Sequence, residues 1–233
     1  MRYGLCIPLF LGLGAGAFAN DWQERLEAAR RSYSLESVNR LIDEMTTEHI
    51  AESPAALAET NLIKAELLRF EWETLPEDAE DREHVADELD AAAWAGLEHC
   101  KPLSESSETF RLRADLLGTL IRSRYRAKKH RAEMEADAER AIELDSENAR
   151  AYVSKAKPLL FASERHGGDI EKAIELLDKA LALDDSLENA KLLRAYGLEQ
   201  LDERDAALVL YREILQRNPQ CRPAEHAISE LER

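Results

Sequence analysis

A helical pattern that recurs toward the C-terminus constrains this chain more than any other feature. Ala141-Ile-Glu-Leu-Asp145, Ala180-Leu-Ala-Leu-Asp184 and Ile214-Leu-Gln-Arg-Asn218 close successive segments, with starts at 141, 180 and 214, steps of 39 and 34 residues. A period in the thirties on helical sequence means one helix pair per unit. A single pair cannot bury its apolar face, so neighbouring pairs must stack into a continuous core. Composition agrees: only 9 Gly and 7 Pro interrupt 233 residues rich in Ala, Leu, Glu and Arg, and no segment shows sustained period-two alternation. The expected fold is all-α, with little or no sheet.

Apolar spacing and capping residues place the helices. Trp22 to Arg31 carries Trp22, Leu26 and Ala29 on one stripe, and a second helix follows with Leu35, Val38, Leu41, Ile42 and Met45. Ser53-Pro54 opens a third that runs to about Trp72, with serine as N-cap and proline in the first turn. An acidic stretch leads into a helix closing at Cys100. The next runs from Ser106 or Ser107 through Phe110, Ala114, Leu117, Ile121 and Tyr125, with its partner from about Arg131 to Leu144. Five more are expected: from Asn148 to about Ala162, Asp169 to Leu183, Ser186 to Leu201, Glu203 to Arg217, and Pro223 to Leu231. Eleven helices give about five hairpins plus a C-terminal capping helix.

The first residues read differently. Arg2, an apolar run from Leu5 to Leu13 and Ala17-Phe18-Ala19 before Asn20 have the form of a cleaved secretory leader over 1–19. The expected mature chain is one helical-repeat domain over 20–233, degenerate over 20–104 and clearer over 105–233, in a periplasmic or secreted setting and without membrane insertion. The net charge of −16 repels phosphate backbones and disfavours nucleic acid as a partner. Cys100 and Cys221 fall about three helix pairs apart, too far for a bridge within the chain. Free thiols or an intermolecular bridge remain open, as does homo-oligomer formation.

The last two full units resemble the tetratricopeptide repeat (TPR) family. With Pro219 at that family's closing proline, Ala195 and Ala207 fall on its two small positions, Tyr211 on its aromatic position and Ile214 on its last packing position. Ala156, Ala173, Leu177 and Ala180 fill equivalent places one unit earlier. That unit carries five extra residues around Ser163-Glu-Arg-His-Gly-Gly168, while Lys191 and Arg194 replace large apolar residues. The fold implied is a TPR-like helical-hairpin array, an α-solenoid. A narrower pattern, Pro158 with Gly167-Gly168-Asp169 and Lys172-Ala173, is similar to one in exported bacterial helical-repeat proteins, including T-components of TRAP-type solute transporters.

Few residues point to chemistry. The six histidines are scattered, and neither metal-ligand spacing nor a nucleophile or phosphate-loop motif is present in the sequence. No cofactor and no enzymatic role is expected. Two surfaces are candidates for a protein or peptide partner. In TPR proteins the first helix of each pair lines the groove. Carried onto this chain, the resemblance implies Arg150, Val153, Lys157 and Leu160 of one unit, and Asn189, Leu192, Tyr196 and Glu199 of the next. The second candidate is a basic run, with Arg122, Arg126 and Lys129 on one helical face. It is read either as an anion-binding patch or as cations at a helix C-terminus. Trp72 and Trp94 are expected in the core.

Overall fold

The computed structural model describes residues 15–47 and 54–233. These residues contain α1 (Ala15–Ser32), α2 (Leu35–Thr47), α3 (Pro54–Thr74), α4 (Arg82–Cys100), α5 (Ser107–Leu120), α6 (Arg124–Leu144), α7 (Ala149–Phe161), α8 (Ile170–Leu183), α9 (Glu188–Gln200), α10 (Arg204–Arg217) and α11 (Arg222–Leu231), and no strand. The expected leader lies outside the described residues up to position 14, and positions 15–19 begin α1. No described helix is long and apolar enough to cross a membrane.

Local chemistry sets the starts of the helices. The side chains of Ser106, Ser123, Asn148 and Asp169 accept from the backbone N–H three residues on, at 3.0–3.3 Å, and so satisfy donors that have no partner within the helix. The irregular unit is a turn with specific backbone demands. Gly167 has φ 81, a left-handed conformation, and a Cβ on Gly168 would collide with the Ala162 carbonyl. Pro158 lies inside α7.

Consecutive helices pair antiparallel, and the pairs stack through small residues. Ala156, Ala173, Ala180, Ala195, Ala207 and Ala224 are all fully buried, which lets helix axes approach closely. Tyr211 and Ile214 are buried beside them, as the repeat resemblance implies. The architecture is an all-helical hairpin array with α11 as its cap.

One boundary differs from the sequence reading. The helix expected to run to Tyr125 ends at Leu120, and its partner begins at Arg124 rather than near Arg131. The reason is tertiary. The Arg69 guanidinium of α3 donates to the carbonyls of Gly118, Thr119 and Ile121 at 3.4, 3.3 and 3.0 Å, satisfying the C-terminus of α5. Ser123 then restarts the chain as the cap of α6.

The array also closes on itself. The odd-numbered helices face inward, and α3 is buried around most of its circumference from Ala56 to Ile63. Tyr33, at the α1–α2 corner, packs with the C-terminal core of Ala195, Leu198, Tyr211 and Cys221. Phe70 of α3 meets His226 of α11 edge-on, at 6.0 Å between ring centroids. Cys100 and Cys221 are free and buried in separate cores. A bridge to another molecule through either thiol requires its core to open.

Candidate binding surface

The inner face divides into a closed part and an open part. The closed part is a charged network joining α1, α3, α5 and α7. Arg30, Arg111 and Arg150 converge on Glu59, with Arg150 at 3.0 Å. Lys157 bonds Asp115 at 2.8 Å and Glu66 at 3.2 Å, Arg30 reaches Glu66 at 3.1 Å, and Arg150 reaches Glu27 at 2.5 Å. Arg111 also holds Asp115 at 3.2 Å, and Ser154 donates to Asp115 at 3.0 Å. Arg111 is 2% exposed, so its charge depends on these partners rather than on water.

The electrostatics hold Glu59, Asp115 and Lys157 in their ionised forms. Burial alone would raise the Glu59 carboxyl, but Arg111, Arg30 and Arg150 outweigh it and hold the group down at about 2. Burial likewise opposes the charged forms of Asp115 and Lys157. Their mutual attraction prevails, lowering the acid and raising the amine. A general acid or base must exchange a proton near working pH. These shifts run the opposite way, so the network is built to hold charge.

The open part continues the same face. The α7 side chains reaching inward are Arg150, Ser154, Lys157 and Phe161, at steps of four, three and four. Val153 and Leu160 were expected on the groove, but they lie in the α7–α8 core at 5% and 4% exposure. The inward stripe is offset from them by one residue. Phe161 is 58% exposed and stacks on half-buried Tyr196 of α9, with centroids 5.4 Å apart and rings inclined at 34°. Gly197 makes this approach feasible: a Cβ there would sit 3.0 Å from Ile174 and 3.3 Å from Leu160. Burial, aided by Glu199 and Glu73, raises the Tyr196 hydroxyl and keeps it a neutral donor. Glu199 accepts from Tyr211 at 3.3 Å, and Asn189 lies half-buried on the same helix.

The structure brings the basic run together at a different place. It occupies the α5–α6 turn and the first turns of α6, not a helix C-terminus. Cations there oppose the helix dipole, and Asp90 of α4 compensates. Arg122 bonds Asp90 at 2.5 Å and Arg126 grips it at 2.6 and 3.0 Å. Lys129 lies 5.8 Å from the ring centre of Trp94. Trp94, expected in the core, is 43% exposed beside His130, while Trp72 is half-buried under Arg82.

One buried carboxylate departs from the general pairing. Asp137 of α6 has an Oδ2 without a hydrogen-bond donor, although the Arg113 guanidinium lies 3.2 Å away. Burial pushes this carboxyl up to about 6, against the pull of Arg113. Among the described residues, no three His, Cys, Asp or Glu side chains group as metal ligands.

The fold and this face define an array of stacked helical hairpins. Neither a family profile nor a curated protein matches the sequence. Among solved structures the chain is similar to YrrB, described as a TPR protein with an unusual peptide-binding site. The TM-score is 0.43 at 12% identity, covering 88% of this chain and 96% of that one.

Proposed function

We propose that this protein is a non-enzymatic scaffold or adaptor that binds a protein or peptide partner on its inner face. The observation that carries the reading is the Phe161–Tyr196 stack, in which exposed Phe161 ends the stripe that also carries Arg150 and Lys157 and rests on half-buried Tyr196. Aromatic side chains anchor protein interfaces because they bury a large area at small entropic cost. Asn189 and Glu199 lie on α9 beside the pair, while Arg150 and Lys157 continue the stripe into the closed network. Arg122, Arg126 and Lys129 form a secondary patch whose charge is largely spent on Asp90 and Trp94. In affinity capture of the partner, Phe161→Ala with Tyr196→Ala should reduce recovery about tenfold or more. Unchanged recovery would remove the assignment.

The proposal places the protein in the bacterial envelope, supported by the leader-like sequence of residues 1–19. Intact mass of the exported protein should correspond to a chain beginning at Asn20; a chain retaining Met1 would count against export. Association with a TRAP-type solute transport system is a second reading, supported by the pattern at Pro158 and Gly167-Gly168-Asp169. Copurification with a solute-binding protein would favour it.

A further inference from the structure

We infer that the contact between the α1–α2 corner and the C-terminal units is an openable seam, and that its opening frees Arg150 from Glu27 for a carboxylate-bearing peptide segment. This rests on the binding face assigned above and adds its regulation.

Tyr33 carries the argument. Its φ of 47 lies in the left-handed region, which an aromatic residue occupies only where its surroundings force it. Those surroundings come from the far end of the chain. The Tyr33 hydroxyl donates to Glu188 at 2.8 Å and accepts from the Cys221 thiol at 3.2 Å. Asn218 donates to the Arg31 carbonyl and to Glu188, both at 3.1 Å. Arg31 donates to the Arg217 carbonyl at 3.3 Å. A strained backbone is thus stabilised by contacts between residues more than 150 positions apart.

The seam is mostly polar, unlike the cores on either side. The apolar stripe of α1, with Trp22, Leu26 and Ala29, packs within its own units against α2 and α3. That core survives when the seam parts. The links lost are hydrogen bonds, the packing of the Tyr33 ring on the C-terminal core and the Glu27–Arg150 ion pair. Partly exposed ion pairs contribute little and are screened by salt. The seam is therefore weaker than the helix pairs it joins. Glu27 occupies one edge of the Arg150 guanidinium in the closed form, standing where a partner's carboxylate would sit, while Glu59 of α3 holds the other edge.

Cys221 reports the state of the seam. It is fully buried and bonded to Tyr33, and burial pushes its thiol up to about 11. Cys100, buried in the core of α3, α4 and α5, serves as the internal control. The test is thiol labelling of the native full chain with an aromatic disulfide reagent, followed by peptide mapping. Glu27→Lys repels Arg150 without removing a hydrogen bond of Cys221, and Tyr33→Phe removes the hydroxyl bonds with little change in shape. In each variant Cys221 should label at least fivefold faster than in wild type, with Cys100 unchanged. Wild-type rates at Cys221 in both variants, or equal acceleration of Cys100, would overturn the seam. The readout needs no partner, so its failure is distinct from failure of the Phe161–Tyr196 assignment.

Discussion

Replacing Arg111 with alanine should cost about 3 kcal/mol and lower the thermal midpoint by roughly 6–12 °C. The guanidinium lies between Glu59, Glu108 and Asp115 and is 2% exposed. Its removal leaves carboxylates in a poorly solvated site and opens a void. Arg30, Arg150 and Lys157 still neutralise part of the charge, which keeps the expected loss at the lower end for a broken buried pair. Adding Glu59→Gln to Arg111→Ala should cost less than the two single losses together, because the second change removes a charge the first left unmatched. The pH dependence follows in sign. Glu59 titrates at about 2 in the folded chain, below its ordinary 4.5. Its stabilisation is complete above the unfolded value and disappears as pH falls through that window toward 2. Thermal melts across this range should show the wild-type advantage over Glu59→Gln shrinking on acidification. An Arg111→Ala melt that overlays wild type would mean the network contributes nothing to stability.

Gly96→Val should cost about 2–3 kcal/mol, a midpoint loss of roughly 4–12 °C, through overpacking. Gly96 is buried in α4 where α3 and α5 also meet. A Cβ there would lie 2.5 Å from Leu116 Cδ2, 3.0 Å from Leu116 Cδ1 and 3.3 Å from Asn61 Cβ. Leu116 is fully buried and has nowhere to turn, so the helices must separate. Gly118→Ala is the control: its Cβ meets only the flexible Met134 sulfur at 3.3 Å. Chemical denaturation should show the valine variant clearly weakened and the alanine variant near wild type. Equal effects would mean that loss of glycine, rather than the α4–α5 contact, sets the cost.

These two sites show what the sequence could and could not reveal. In the C-terminal units, period and chemistry coincide. Ala195, Ala207, Tyr211 and Ile214 stand at the expected spacing and all four are buried. Gly96 performs the same small-residue role in the degenerate half, but a single glycine in a helical pattern has several meanings, so it carried no signal. The inner stripe was legible at Arg150, Lys157 and Tyr196. Phe161 was missed because Val153 and Leu160 are equally apolar and one residue out of phase. The steps from Arg150 through Ser154 and Lys157 were the available clue. The α5–α6 boundary depended on Arg69, about fifty positions away, and the seam on Tyr33 and Cys221, which are separated by nearly the whole chain. Periodicity records neighbours along the chain, and neither contact leaves a mark on it.

The central claim is that a partner docks beside Phe161. Photo-crosslinking tests it most directly, with benzoylphenylalanine at position 161 and, as a control, at exposed Leu144 on α6. A discrete protein adduct formed from position 161 and absent from position 144 is the predicted result. No adduct from 161, or the same adducts from both positions, would contradict the account.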